Sequence, residues 1–215
     1  MGDRKAGIFI SFEGLDFSGK SEQCRRLITR LHEAGYDNAE LLREPGGVEI
    51  AEAIRQIVLD AKHAGLNERT EILLYSAARA QITSERILPG LAAGKIIIAD
   101  RFVDSTTAFQ GYGRQIDLEF VKAVNRFATR GILPQLTFLL DISLEEAEAR
   151  QRRAGIAKDR LENEGRDFHE RVRDAYLAMA QAEPQRFVVL NGEQPVDALA
   201  EQINAAVRQR FGWKV

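Results

Sequence analysis

The run Gly14-Leu15-Asp16-Phe17-Ser18-Gly19-Lys20-Ser21 has the form G-x-x-x-x-G-K-[ST] and directly follows the apolar run Ile8-Phe9-Ile10-Ser11-Phe12. A glycine-rich turn between a strand and a helix aims successive backbone N–H groups at a polyphosphate, and the helix N-terminus adds positive potential. In such a loop Lys20 bridges the β- and γ-phosphates and Ser21 ligates Mg²⁺. A second set of polar residues, Glu13, Arg43, Glu44, Asp100, Arg101 and Asp141, falls at or just after this run and further apolar runs. Phosphoryl transfer needs positioning and charge neutralisation more than a covalent nucleophile, and guanidinium and carboxylate groups supply both.

The elements that must position these residues are legible. Apolar runs over Ala39–Arg43, Lys95–Asp100, Leu136–Asp141 and Arg186–Asn191 join the first to predict five strands. Continuous apolar runs separated by amphipathic helices indicate an α/β fold, a five-stranded parallel sheet with helices on both faces and ligands beyond the carboxyl ends of the strands. The phosphate loop makes this a P-loop NTPase fold, and residues 1–215 are expected to form one domain. After the loop, Cys24, Leu27, Ile28 and Leu31 share a helical face that Gly35 can end. Helical stretches are expected over Ile50–Asp60 and Glu68–Ala92. In the second, Tyr75 and Arg79 stand one turn apart on one face, either to meet a base or as a core aromatic with an arginine at its rim.

Composition narrows the partners. With 45% hydrophobic residues in 215, a full core is within reach, while a net charge of −2 and a pI near 6.0 give no global basic field for a nucleic-acid polymer. Small anionic ligands met by local cations fit better. The single cysteine, Cys24, rules out an intramolecular disulfide and reads as a core thiol. Asp3, Arg4 and Lys5 precede only a short apolar strand, so neither a secretory segment nor a membrane span is expected, and the chain reads as cytoplasmic. His32, His63 and His169 show no metal spacing and read as surface residues away from the strand ends.

The phosphate loop, Arg43-Glu44-Pro45-Gly46-Gly47, the helix Tyr75-Ser76-Ala77-Ala78-Arg79 and the segment Asp100-Arg101-Phe102-Val103-Asp104-Ser105-Thr106-Thr107-Ala108-Phe109-Gln110-Gly111 occur in the order and spacing of bacterial thymidylate kinases, which the chain resembles along nearly its whole length. The resemblance implies transfer of the γ-phosphoryl group of ATP, with Mg²⁺, to deoxythymidine monophosphate (dTMP), giving the diphosphate on the way to dTTP. It implies that Gly14, Leu15, Asp16, Phe17, Ser18, Gly19, Lys20 and Ser21 cradle the nucleotide. Ser21 and Asp100 attend the metal, Asp100 through water. Tyr75, where phenylalanine is common, would stack on thymine, with Arg79 donating to its O4. Thr106 and Gln110 match positions that hydrogen-bond the pyrimidine edge. Phe109, often tyrosine, would lie near the sugar's 2′ carbon, and Arg55 near the thymine pocket. Asp16 would meet the acceptor's 3′-hydroxyl and the water around Mg²⁺. Arg101 would hold the acceptor phosphate with help from Arg43, and Glu44 would contact the sugar or ordered water. Adenine would sit between the lid base and Asn191-Gly192-Glu193-Gln194-Pro195.

Some family members carry a catalytic arginine in the phosphate loop directly after the acid, but that position here is Phe17. The chain therefore resembles the type that brings the arginine on a mobile lid, about residues 150–165. Arg150, Arg152, Arg153, Lys158 and Arg160 surround the flexible Ala154-Gly155-Ile156-Ala157. The spacing back from Asp159-Arg160-Leu161-Glu162 is shifted by one residue from familiar members. Arg153 is the first candidate and Arg160 the second, beside the plainer reading of basic residues at a helix C-terminus. A homodimer is expected from the resemblance, and the stripe Phe120, Val121, Val124 and Phe127 suits either its interface or the core. Two rival readings are a P-loop kinase for another monophosphate or a deoxynucleoside, and a nucleotide switch without acceptor. A GTP switch would be expected to carry N-K-x-D after a late strand, and Leu139-Leu140-Asp141-Ile142 is not that motif.

Overall fold

Two residue periods build the architecture, alternation along the strands and a 3.6-residue repeat along the helices. The structure is a computed structural model that describes residues 7–215, so Asp3, Arg4 and Lys5 lie outside the described residues. Strand β1 (Ile8–Glu13) feeds the phosphate loop and α1 (Lys20–Glu33), followed by β2 (Ala39–Arg43), α2 (Glu49–Leu59) and α3 (Glu68–Ile82). Next come α4 (Leu88–Ala92), β3 (Ile96–Asp100), the short α5 (Val103–Thr106) and α6 (Leu118–Thr129). The chain closes with β4 (Leu136–Asp141), α7 (Leu144–Ala154), α8 (Arg166–Ala182), β5 (Phe187–Asn191) and α9 (Val196–Phe211). The five expected strands are present within a residue of their expected ends.

The strands form one parallel sheet in the order β2-β3-β1-β4-β5. Parallel strands need crossovers, and the helices of those crossovers cover both faces. Alternation sends Ile10, Phe12, Ile96, Ile98, Leu136, Phe138 and Leu140 to the face packed by α1 and α9, in a cluster with Cys24, Leu27, Leu31, Ile203 and Val207. Phe9, Ile97 and Ala99 face the other way, onto Ile82, Ile87 and Phe102. Register brings the carboxyl ends level: Phe12 and Arg43 both pair with Asp100, and Asp141 pairs with Asn191.

Two helical stretches are wider than the α pattern. The single helix expected over Glu68–Ala92 is helical throughout but passes through a π-type turn, Thr83–Ile87, where the Leu88 N–H donates to the Thr83 carbonyl. Pro89, just beyond, has no N–H to return to the preceding turn and its ring crowds that carbonyl row, so the wider turn relieves the conflict. The second π-type turn, Thr107–Gly113, continues α5 and closes with the Arg114 N–H on the Phe109 carbonyl at 2.9 Å. Thr106, at the end of α5, and Phe109 and Gln110 from this turn all line the cleft described next.

Candidate active site

Only glycine fits where β1 turns into the phosphate loop. Gly14 has φ of 136°, and a Cβ there would lie 2.4 Å from the Leu140 carbonyl oxygen. Gly19, at φ 94°, precedes α1 without a side-chain cap, so the first N–H groups of α1 stay available to an anion. Lys20 is buried and reaches back to the Leu15 carbonyl at 2.7 Å. Burial pulls its ammonium down to about 8, with Arg101 pulling the same way against Asp16, Asp100 and Glu13. Ser21 Oγ donates to the Asp100 carboxylate across the mouth of the loop. A hydroxyl and a carboxylate on the phosphate side suit Mg²⁺, which takes hard oxygen ligands and draws the rest from phosphates and water. Among the described residues, no group of three or more His, Cys, Asp and Glu could hold a metal by itself.

One cavity of about 550 Å³ runs from this loop to α3 and the Thr106–Gln110 stretch. Of the residues proposed for the two ligands, it is lined by Lys20, Ser21, Asp16, Arg43, Glu44, Arg55, Tyr75, Arg79, Asp100, Arg101, Thr106, Phe109 and Gln110. Fold alone gathers them, because they leave the carboxyl ends of β1, β2 and β3 or the helices that follow. Asp141, by contrast, is held by Arg173 at 2.7 and 2.8 Å and lines no part of this cavity.

Asp16 and Arg101 meet at the middle of the cleft, 2.5 Å apart. Arg101 stands in the left-handed region with φ of 71°, a conformation uncommon outside glycine, and its backbone N–H is fixed on the Phe12 carbonyl. Its Nη1 donates to the Gly14 carbonyl, Ser105 Oγ and Tyr176 OH at 3.0, 3.0 and 3.2 Å, and the guanidinium lies over the Phe109 ring. Burial works against the Arg101 charge, but Asp16, Tyr176, Glu13 and Asp100 outweigh it and raise the group further. Burial likewise opposes the Asp16 charge and is overcome by Arg101 and Lys20, which hold the carboxyl below its usual range.

Beneath Arg101 the strand-end Glu13 gathers a buried polar cluster whose other members, Ser105 and Tyr176, the sequence did not single out as functional. Glu13 accepts from the Phe102 N–H at 2.7 Å, Ser105 Oγ at 2.6 Å and Tyr176 OH at 3.0 Å. Burial first, then the nearby Asp104 charge, push the Glu13 carboxyl up to about 7 against the opposing pull of Arg101. Tyr176 comes from α8, far along the chain, and no local pattern announces it.

At the α3 end of the cavity Arg79 is almost wholly buried. It donates Nε to Glu44 (2.7 Å), Nη1 to Thr106 (2.5 Å) and Asn125 (3.3 Å), and Nη2 to the Phe102 carbonyl (3.0 Å). A guanidinium carries five N–H donors, so one Nη2 hydrogen has no partner among the described residues. Glu44 Oε1 is also buried without a partner, and burial raises that carboxyl despite Arg79. Tyr75 is buried, as a core aromatic would be, and also lines the cavity. Arg43 pairs with Glu52 at 2.6 Å, and Arg55 donates to the Pro45 carbonyl at 2.8 Å.

The basic residues between 150 and 160 separate sharply. Arg153 is 68% exposed and among the described residues pairs only with Glu146, at 2.9 Å. Arg160, expected as the second candidate on a mobile lid, is instead buried. Its Nη1 lies 2.6 Å from Glu71 and its Nε donates to the Val58 carbonyl at 2.8 Å, anchors that α2 and α3 supply. Arg150, on the same helix as Arg153, spans Glu146, the Phe17 and Ser18 carbonyls and the Gly192 carbonyl. It ties α7 to the phosphate loop and to the turn after β5, where a Cβ at Gly192 would crowd Ile142 at 2.8 Å. His169 is not a surface residue away from the site. It is half-buried beside Phe168 and faces Leu15, Asp16 and Phe17, and burial lowers its imidazolium.

Comparison with known proteins places this geometry. The family model for thymidylate kinase matches residues 12–203. The thymidylate kinase of Caldanaerobacter subterraneus subsp. tengcongensis is 44% identical over 203 residues, covering 94% of this chain and 96% of that protein. That of Enterococcus faecalis is 41% identical over 206 residues, covering 95% and 97%. The crystal structure of thymidylate kinase from Ehrlichia chaffeensis superposes with a TM-score of 0.77 at 31% identity, covering 94% of this chain and 99% of that one. A phosphate loop and an Arg101–Asp16 pair in one cleft, joined to likeness of this extent, put the chain in the thymidylate kinase family of phosphoryl-transferring enzymes.

Proposed function

We propose that this chain transfers the γ-phosphoryl group of ATP to dTMP, giving dTDP and ADP as a step toward dTTP, as one kinase domain with a lid near residues 150–165. The observation that carries the reading is the Arg101–Asp16 pair, standing between the phosphate loop and the Tyr75–Arg79–Gln110 pocket within a single cavity. Donor and acceptor then meet end to end, and the acceptor's phosphate oxygen attacks without a covalent enzyme intermediate. Lys20 and the N–H groups of the loop and α1 hold the ATP phosphates, while Ser21 and Asp100 would hold Mg²⁺. That ion, when bound, neutralises charge on the transferring group.

Arg101, freed in part from Asp16, grips the acceptor phosphate with Arg43, and Asp16 turns to the 3′-hydroxyl. Glu44 Oε1 offers its open acceptor lone pairs to the sugar or a water. Arg79 gives its remaining N–H to O4, and Tyr75 stacks on the ring. Thr106 and Gln110 read the pyrimidine edge, Phe109 lies by the sugar, and Arg55 borders the pocket. Arg153 supplies the cation on the moving phosphoryl. Its exposure and single surface ion pair leave it free to swing inward, whereas the two buried anchors of Arg160 do not. Arg150 and the turn after β5 frame the adenine.

We place the enzyme in the cytoplasm, where ATP and dTMP are at hand; none of the described helices is long and apolar enough to cross a membrane. We also propose a homodimer. Phe120 and Phe127 on α6 and Leu73 on the adjoining α3 are exposed apolar side chains, whereas Val121 turns into the core. Light scattering behind size exclusion should read twice the chain mass, and a monomer would refute the dimer. The catalytic reading is tested by ADP release with ATP and Mg²⁺, comparing dTMP, other nucleoside monophosphates and no acceptor. Turnover that requires dTMP supports it, and equal turnover without acceptor replaces it with an ATPase.

A further inference from the structure

Glu71 stands one helical turn before Tyr75 on α3 and is fully buried. Three side chains converge on it. Arg114 donates through Nε and Nη2 at 3.2 and 3.0 Å, Arg160 Nη1 lies 2.6 Å away, and Gln110 Nε2 donates to Oε1 at 2.9 Å. Arg114 also pairs with Glu164 at 2.6 Å, so two cations and two anions balance. Burial alone would disfavour the Glu71 charge, but the hydrogen bonds from Arg114 and Gln110 and the charges of Arg114 and Arg160 hold the carboxyl below its usual range. An ionised carboxylate only accepts, so the Gln110 amide has one permitted orientation toward it, with the NH₂ group inward. The other end, Oε1, has no partner among the described residues and belongs to a side chain that lines the cavity.

We propose that Glu71, clamped by Arg114 and Arg160, is a positioning residue that fixes the Gln110 amide with its carbonyl toward the base, and thereby makes the pocket reject cytosine. The inference rests on the dTMP reading above. Thymine carries a hydrogen on N3 that a carbonyl accepts, beside the O4 that Arg79 can reach. Cytosine presents a bare N3 lone pair and an N4 amino donor instead, so a Gln110 carbonyl meets a lone pair and the Arg79 N–H meets an N–H. Each is a buried polar group left without its partner, the circumstance in which a site discriminates most strongly. Because Arg160 directly follows Asp159 at the return of the lid, the same clamp ties lid placement to base reading.

The test is kcat/KM for dTMP, dUMP and dCMP in the wild-type enzyme and in Glu71→Gln. A glutamine at 71 can donate as well as accept, so Gln110 is free to turn its NH₂ group to the base. We expect dTMP and dUMP to lose ground together and the preference for dTMP over dCMP to narrow by about tenfold or more. A loss shared equally by all three substrates, with the ratio unchanged, overturns the role of Glu71 and leaves it a structural anchor. A wild-type enzyme that does not turn over dTMP overturns the functional reading itself, a separate result. Should Glu71→Gln fail to fold, the pair Glu71→Gln with Arg114→Gln restores the charge balance and carries the same readout.

Discussion

The Glu13 carboxyl gives the sharpest stability prediction. It is fully buried under Arg101, and its proton is held to about 7 against an ordinary value of 4.5. That difference corresponds to about 3 kcal/mol of tighter proton binding in the folded state. The folded chain binds the proton more strongly than the unfolded one, so the stabilisation is complete below pH 4.5 and is lost as the pH rises through 7. Glu13→Gln keeps the shape and removes the titration. Its amide oxygen can take the Phe102 N–H, and its NH₂ can donate to the oxygens of Ser105 and Tyr176, whose hydroxyls rotate to suit. Urea unfolding of both proteins from pH 5 to 8.5 isolates Glu13, because every other titrating group is common to the pair. Relative to its position at pH 5, the variant should gain about 2.5 kcal/mol on the wild type by pH 8.5. Parallel profiles, with a gap constant to within about 0.5 kcal/mol, would refute burial as the source of the raised pKa.

Other consequences follow from the same geometry. Arg101→Lys keeps a charge but loses the fork shared by Asp16, Gly14, Ser105 and Tyr176, and kcat/KM for dTMP should fall by about a hundredfold or more; a fall under about threefold contradicts its role. Arg153→Ala should leave urea stability within about 0.5 kcal/mol, since an exposed pair contributes little, yet lower kcat by about a hundredfold. Arg160→Ala should instead lose about 3–5 kcal/mol by breaking a buried pair, and the reverse pattern would exchange the two assignments. Lys20, lowered to about 8 by burial, should take up a proton when ATP binds above that pH. Calorimetry at pH 8.5 in two buffers of different ionisation heat would show it, and identical heats would speak against it.

What could be read from the sequence was whatever is local along the chain. The phosphate loop is eight consecutive residues, and the strand-end residues need only a parallel sheet to bring them together, as the shared pairing of Phe12 and Arg43 with Asp100 does. Tyr75 and Arg79 follow from helical period alone. The Glu71 clamp was not found, although a glutamate four residues before Tyr75 on the buried face of α3 was a visible signal, because its partners come from the lid return and from the turn after Gln110. Tyr176 likewise reaches Arg101 only through the packing of α8. The burial of Arg160 was not legible because a basic residue next to a glycine-bearing loop looks solvated until α2 and α3 are seen to enclose it. Burial against distant elements is what short-range pattern does not encode.

Direct label transfer tests the central claim. The enzyme is incubated with Mg²⁺, dTMP and ATP labelled in the γ-phosphate, and the products are separated. The account predicts label in the β-phosphate of dTDP in step with ADP formation. Label released as inorganic phosphate with dTMP unchanged would contradict it.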